Sequence, residues 1–150
     1  MTTMTIRLLV ALAAAALLAP AALGWPGRPA KAPPKPPNPG APPPAWIESK
    51  SKSAWLAYSS YCWKTTCVDM IPPQARPDLP SFAVKRGTTV RVHLAFRAKG
   101  VTVSVDKNVV AARIDTTRRV VSWKASRSGI LTVFARTAGD AGYVARLRLA

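Results

Sequence analysis

From Phe82 to the last residue, apolar and polar positions alternate. Val90, Val92, Leu94 and Phe96 take turns with Arg91, His93, Ala95 and Arg97, a period of two that predicts a half-buried strand. After a turn at Lys99-Gly100, Val101, Val103 and Val105 alternate with Thr102 and Ser104, so a second strand is expected beside the first, closed by Asp106-Lys107-Asn108. A less regular strand is expected within Val109 to Ile114. Arg119 to Lys124 places Val121 and Trp123 on one face, which makes Trp123 the expected centre of a core. Leu131, Val133 and Ala135, then Tyr143, Ala145, Leu147 and Leu149, form the inward stripes of a final hairpin turned at Gly139-Asp140-Ala141-Gly142. Phe82-Ala83-Val84 adds a short strand before the turn Lys85-Arg86-Gly87. No stretch here has helical periodicity. About seven short strands with frequent turn signals predict an all-β fold, a small antiparallel immunoglobulin-like β-sandwich.

Upstream of these strands lies Tyr61-Cys62-Trp63-Lys64-Thr65-Thr66-Cys67-Val68-Asp69, which holds both cysteines of the chain. A polar tip between aromatic and β-branched flanks predicts a tight hairpin in which Cys62 and Cys67 face each other and form a disulfide. Trp55, Tyr58, Tyr61 and Trp63 concentrate aromatic surface around it and are expected to anchor it to the core. Pro72-Pro73 stops the hairpin and opens an irregular stretch through Pro77 and Pro80.

The N-terminal part reads differently. One cation, Arg7, precedes the apolar run Leu8 to Leu18, and Ala22-Leu23-Gly24 fits a small-x-small cleavage pattern. Residues 1–24 are therefore expected to be a secretory signal peptide cut before Trp25, with a cut after Ala21 or an uncleaved N-terminal membrane anchor as the alternatives. A spanning helix needs about 20 apolar residues, and this run is short and contains Pro20. Residues 25–45 carry Pro33-Pro34, Pro36-Pro37 and Pro42-Pro43-Pro44. Proline fixes φ and offers no amide donor, so an extended, solvated, disordered linker is expected there, with the sandwich domain occupying 46–150.

Charge changes this picture most. Twenty-two Lys and Arg against 6 Asp and Glu give a formal net charge of +16, of which the leader accounts for one. Such a surface attracts anionic envelope polymers and lipid headgroups. Alternation places Arg136, Arg146 and Arg148 with Phe134 on the outer face of the last hairpin, and Arg91, Arg97 and Lys124 outside the other sheet. The favoured binding face is Phe134, Arg136, Arg146 and Arg148, where a ring lies among forked guanidinium groups.

Other chemistries find no constellation. Four residues separate Cys62 from Cys67, whereas a thioredoxin-type redox pair needs two, at the start of a helix. His93 is the only histidine, too few for a zinc or blue-copper set, and is expected to be a solvated strand residue without a role. Glu48, Asp69, Asp78, Asp106, Asp115 and Asp140 stand singly, expected in loops and at strand ends, with Asp69 a turn cap. No enzyme activity, metal or cofactor is expected, and no module for sequence-specific nucleic acid is present.

The run Gly87 to Val105, Ser122-Trp123-Lys124 and Ser128 to Ala135 resembles small secreted immunoglobulin-like domains of bacteria. The Tyr61-Cys62-Trp63, Cys67, Asp69 and Pro72-Pro73 hairpin is similar to that of uncharacterised exported proteins from high-GC bacteria. The inter-sheet disulfide of antibody domains is missing, so the resemblance implies a structural class and no antibody-like role. The expectation that follows is an exported binding or accessory module of the cell envelope drawn to anionic polymer or lipid. The alternative is a protein-binding module, or small secreted inhibitor, whose contact is Tyr61 and Trp63.

Overall fold

The computed structural model describes residues 27–150, so the expected signal peptide and Trp25 lie outside the described residues. Thirteen strands follow one another: β1 (Trp46–Ser49), β2 (Lys52–Trp55), β3 (Ala57–Tyr58), β4 (Tyr61–Trp63), β5 (Thr66–Val68), β6 (Ser81–Val84), β7 (Thr89–His93), β8 (Gly100–Val105), β9 (Asn108–Val109), β10 (Arg113–Ile114), β11 (Val120–Lys124), β12 (Gly129–Arg136) and β13 (Asp140–Leu149). They form two sheets. The smaller runs β10-β11-β7-β1-β2, and the larger runs β5-β4-β13-β12-β8-β9 with β3 and β6 also paired to β13. Every pairing is antiparallel except β6 with β13.

The expected all-β sandwich is what the chain forms, and its core is the meeting of the alternating stripes. Ile47, Val90, Val92, Val121 and Trp123 from the smaller sheet pack against Val103, Val105, Leu131, Val133, Tyr143 and Leu147 from the larger. Trp123 is buried within this cluster, as its position in the pattern predicts. Burying such side chains stabilises by roughly 1.5–3 kcal/mol each before entropy is charged against it.

The relation of β7 to β8 differs from the expected hairpin. β7 pairs with β1 and β11, while β8 pairs with β12 and β9 in the other sheet. Residues 94–99 carry the chain across, held by Leu94 N–H to Arg119 O, Ala98 N–H to Arg118 O and Lys99 N–H to Arg136 O. Two strands whose apolar stripes both need cover can face each other across the core instead of lying side by side, and here they do. The Val109–Ile114 strand is likewise divided: Val109 belongs to β9 in the larger sheet and Ile114 to β10 in the smaller.

The proline-rich segment also departs from a solvated spacer. Pro42 and Ala45 are buried. Tyr58 Oη donates to Pro42 O at 3.1 Å, Tyr143 Oη to Pro43 O at 2.6 Å, and Asn38 Nδ2 to Tyr61 Oη at 2.8 Å. Polyproline backbone has no internal hydrogen bonds, so its carbonyls remain free as acceptors for buried phenols. Burial pushes the Tyr143 phenol well above its ordinary range, with the neighbouring Tyr58 adding to the effect, and Tyr58 moves the same way.

Candidate functional site

Cys62 and Cys67 are bonded and directly opposite each other across β4 and β5, with Lys64 at φ 52° in the turn. Both cysteines face solvent, which puts Tyr61 and Trp63 on the inward side of the same strand. Tyr61 is only 3% exposed, and Trp63 is half-buried against Phe96, ring centroids 4.8 Å apart. The aromatics anchor the hairpin to the core as expected, and the alternative of an exposed contact is corrected for Tyr61, whose ring alternation turns inward, while Trp63 stays partly exposed. Glycines permit the close docking of the hairpin. A Cβ on Gly142 would lie 2.4 Å from Ser60 O, and one on Gly139 would lie 2.6 Å from Cys62 O. Asp69 accepts the Ser60 hydroxyl at 2.8 Å, and that hydroxyl in turn accepts Met70 N–H.

The other expected face is not assembled into one patch. Phe134 lies opposite Gly142 and Arg136 opposite Asp140, whereas Arg146 lies opposite Ile130, near the far end of the ladder. Arg136 pairs with Asp140 at 3.6 Å. Arg146 is half-buried and donates to Arg76 O at 3.0 Å, because Leu79 covers Ile130 and Val144 beside it. Arg148 is exposed at the opposite end from Arg136.

A cationic surface forms elsewhere, from turns. The β1–β2 turn carries Lys50 at φ 53°, and the β6–β7 turn carries Lys85 and Arg86 before Gly87 at φ 79°. Between β8 and β9, Asp106 (φ 47°) and Lys107 (φ 69°) make the two-residue turn that matches strand twist when both φ are positive. Hydrogen bonds tie these turns to the β11–β12 connection: Gly87 N–H to Ala125 O at 2.7 Å, Ala125 N–H to Thr88 O at 3.0 Å, and Arg86 to Ser126 O. Ser49 Oγ donates to Thr89 O at 2.9 Å, and Lys124 Nζ to Thr89 Oγ1 at 2.9 Å. Leu149 N–H donates to Ser128 Oγ at 2.8 Å, bringing the end of β13 and Arg148 to the same rim. Lys50, Lys85, Arg86, Lys107, Lys124, Arg127 and Arg148 are all exposed there. Asp106 is the one acidic side chain among the described residues of these turns, and its Oδ1 accepts Ile130 N–H at 2.8 Å.

Lys85, Arg86 and Lys107 were legible only as turn residues, and Lys124 and Arg148 as outer-face strand residues. A signal did exist: in a sandwich, alternate turns share an end, so cations at alternate turns converge. Using it requires the correct strand count, and β1 to β3 are not evident in the pattern.

His93 and Glu48 are a second correction. His93 is a strand residue, as expected, but only partly solvated, and Glu48 is not in a loop or at a strand end. The His93 ring stacks on Trp46 at 3.8 Å between centroids and 1° between planes, with its side chain 26% exposed. Its Nε2 lies 3.0 Å from Oε1 of Glu48, a carboxylate 1% exposed in the middle of the smaller sheet. That approach is out of line with the ring N–H, and Oε2 of Glu48 has no hydrogen-bond partner among the described residues. The pair lies on the sheet's outer face, with His93 at the end of β7 away from the basic rim. Trp46 aligns with His93 on β7 and with Trp55 on β2, so the row is fixed by register.

No family model, curated protein or solved structure matches this chain. Among the described residues no helix is long and apolar enough to cross a membrane, and no group of three or more His, Cys, Asp or Glu is gathered as metal ligands would be. The Cys62–Cys67 disulfide points to an oxidising environment.

Proposed function

We propose that this protein is an exported, non-enzymatic accessory module of the cell envelope that holds anionic polymer or lipid headgroups against the basic rim of its sandwich. The observation that carries this reading is the convergence of exposed Lys50, Lys85, Arg86, Lys124 and Arg127 from three interlocked connections, with Asp106 the one acidic side chain among the described residues of these turns. Turns braced by backbone hydrogen bonds hold these charges at fixed mutual positions, so a polyanion meets several at once without ordering a loop first. Each contact releases counterions, which makes the affinity fall with salt. The leader pattern of residues 1–24 and the disulfide support an exported protein.

The test uses phosphatidylglycerol vesicles and poly(glycerol phosphate) as probes, with the triple variant Lys50→Glu, Lys85→Glu, Arg127→Glu. Near an anionic surface each cation contributes about 1 kcal/mol, so the triple variant is expected to lose on the order of a hundredfold or more in affinity. The paired change Arg97→Glu, Arg136→Glu, at the opposite end of the sandwich, should lose less. Absent binding in dilute buffer, or equal loss in both variants, would overturn the assignment of the site to this rim.

A further inference from the structure

A groove of about 1070 Å³ opens on the side of the sandwich, between β2 and β6, with Leu56, Tyr58 and Phe82 among its lining residues. Each flanking strand is the edge of its sheet. β2 pairs only with β1, and Leu56 N–H bonds to Ala45 O at 3.0 Å, which sets the phase of that ladder. In an antiparallel pair, hydrogen bonding alternates by residue, so Ser53 and Trp55 aim their N–H and C=O away from β1. β6 pairs only with β13. Its phase is set by Arg146 N–H to Pro80 O and Ala150 N–H to Val84 O, both 2.8 Å, so Ser81 and Ala83 aim their backbone groups outward. Ser53, Trp55, Ser81 and Ala83 all line the groove. Two rows of edge backbone groups therefore border one apolar floor.

The remaining wall is the strap from Pro29 to Pro37. Trp55 Nε1 donates to Lys31 O at 2.7 Å, and the Arg28 guanidinium lies 4.8 Å from the Trp55 ring centre. No backbone hydrogen bond joins the strap to β2 or β6 among the described residues. Its prolines lack the donors that strand pairing needs. The strap shields an edge that it does not satisfy.

We propose that this groove takes an extended, acidic peptide segment of another protein, added as a strand to β2, with alternate apolar side chains against the half-buried Ala54, Ala57 and Ala83 of its lining. Charge selects the occupant: Lys31, Lys35 and Lys52 are exposed along the walls, while Arg76 is paired with Asp78 at 3.1 Å. A second copy is disfavoured as occupant because a chain of net charge +16 repels itself.

The probe is the peptide acetyl-Thr-Glu-Val-Glu-Val-Glu-Val-Thr-amide, titrated into the whole protein while amide hydrogen exchange is followed residue by residue. Binding should slow exchange at Ser53 and Trp55, and the peptide with Lys in place of Glu should bind at least about tenfold more weakly. Ser53→Pro removes an outward donor and no β1 bond, and should weaken binding by about tenfold. The native protein with the peptide N-methylated at alternate residues gives the same comparison should that variant not fold. Unchanged exchange at Ser53 and Trp55 with millimolar peptide overturns the proposal. So does equal binding of the Lys peptide, indifference to N-methylation, or protection of these amides through self-association seen by sedimentation.

Discussion

The two ends of the sandwich solve opposite problems. At one end, the stapled hairpin lies on Gly139 and Gly142, turns Tyr61 and Trp63 inward, and meets an Arg136–Asp140 pair. At the other, short turns expose Lys50, Lys85, Arg86 and Arg127 with little acidic company. The hairpin end invests its unusual residues in packing; the basic end invests only in bracing its backbone and leaves the side chains in water. The aromatic cluster near the disulfide anchors the hairpin to the core, as its sequence predicts. Exposed cations stand at both ends, Lys64, Arg97, Lys99, Arg119 and Arg136 at the hairpin end, but only the other end sets them on interlocked turns.

This contrast can be broken most forcefully at Gly142. A Cβ there would be 2.4 Å from the backbone carbonyl of Ser60, an atom that cannot swing aside. Gly142→Ala is expected to destabilise by about 2–4 kcal/mol, read by urea unfolding. An unchanged midpoint would show that the hairpin is not tightly docked.

Alkali should attack the same end next. Burial raises the phenol pKa of Tyr143, with Tyr58 contributing, and burial likewise raises that of Tyr58, with Tyr61 contributing. For a group whose folded pKa exceeds its unfolded value of about 10, the stabilisation is complete below that pH. It is lost as pH rises through the folded value. Phenolate absorbance should therefore rise together with loss of near-ultraviolet circular dichroism well above pH 10; titration of all tyrosines at an ordinary pKa in the folded protein would remove the contrast.

Reducing Cys62–Cys67 is a smaller perturbation. The closed loop is short, so chain entropy assigns it about 2 kcal/mol. The reduced protein should stay folded with a lower unfolding midpoint, measured in parallel with and without reductant. Global unfolding on reduction would make the staple more central than its position on the outer side of the larger sheet implies.

The smallest effect on stability is expected at the basic rim. Lys50→Glu, Lys85→Glu, Arg127→Glu should shift unfolding by less than about 0.5 kcal/mol per site, since exposed substitutions away from packing rarely do more. Large destabilisation here would mean that these side chains brace the turns, and the affinity loss expected of the same variant would lose its meaning as a map of binding.

Much was legible beforehand where residue pattern and burial agree. The strands around Val90, Val103, Trp123, Leu131 and Tyr143 alternate because one face meets the core, and Cys62 and Cys67 flank a turn short enough to bring them opposite. β1 was hidden because Glu48 and Ser49 are buried polar residues, which no rule of alternation anticipates. The end of the proline segment was hidden for a complementary reason: its role depends on carbonyls, which every sequence has, meeting Tyr58 and Tyr143, which only the fold brings near.

The sequence alone determined the longer strands after Phe82, the staple, the excess of positive charge and the sandwich class, because each follows from local periodicity, spacing or composition. Tertiary structure decided which strands share a sheet, which cations meet on interlocked turns, that the carbonyls of Pro42 and Pro43 meet Tyr58 and Tyr143, and that His93 rests on Trp46 beside Glu48. Those outcomes depend on register and on which turns fall at the same end of two packed layers, and neither quantity is written in any single stretch of chain.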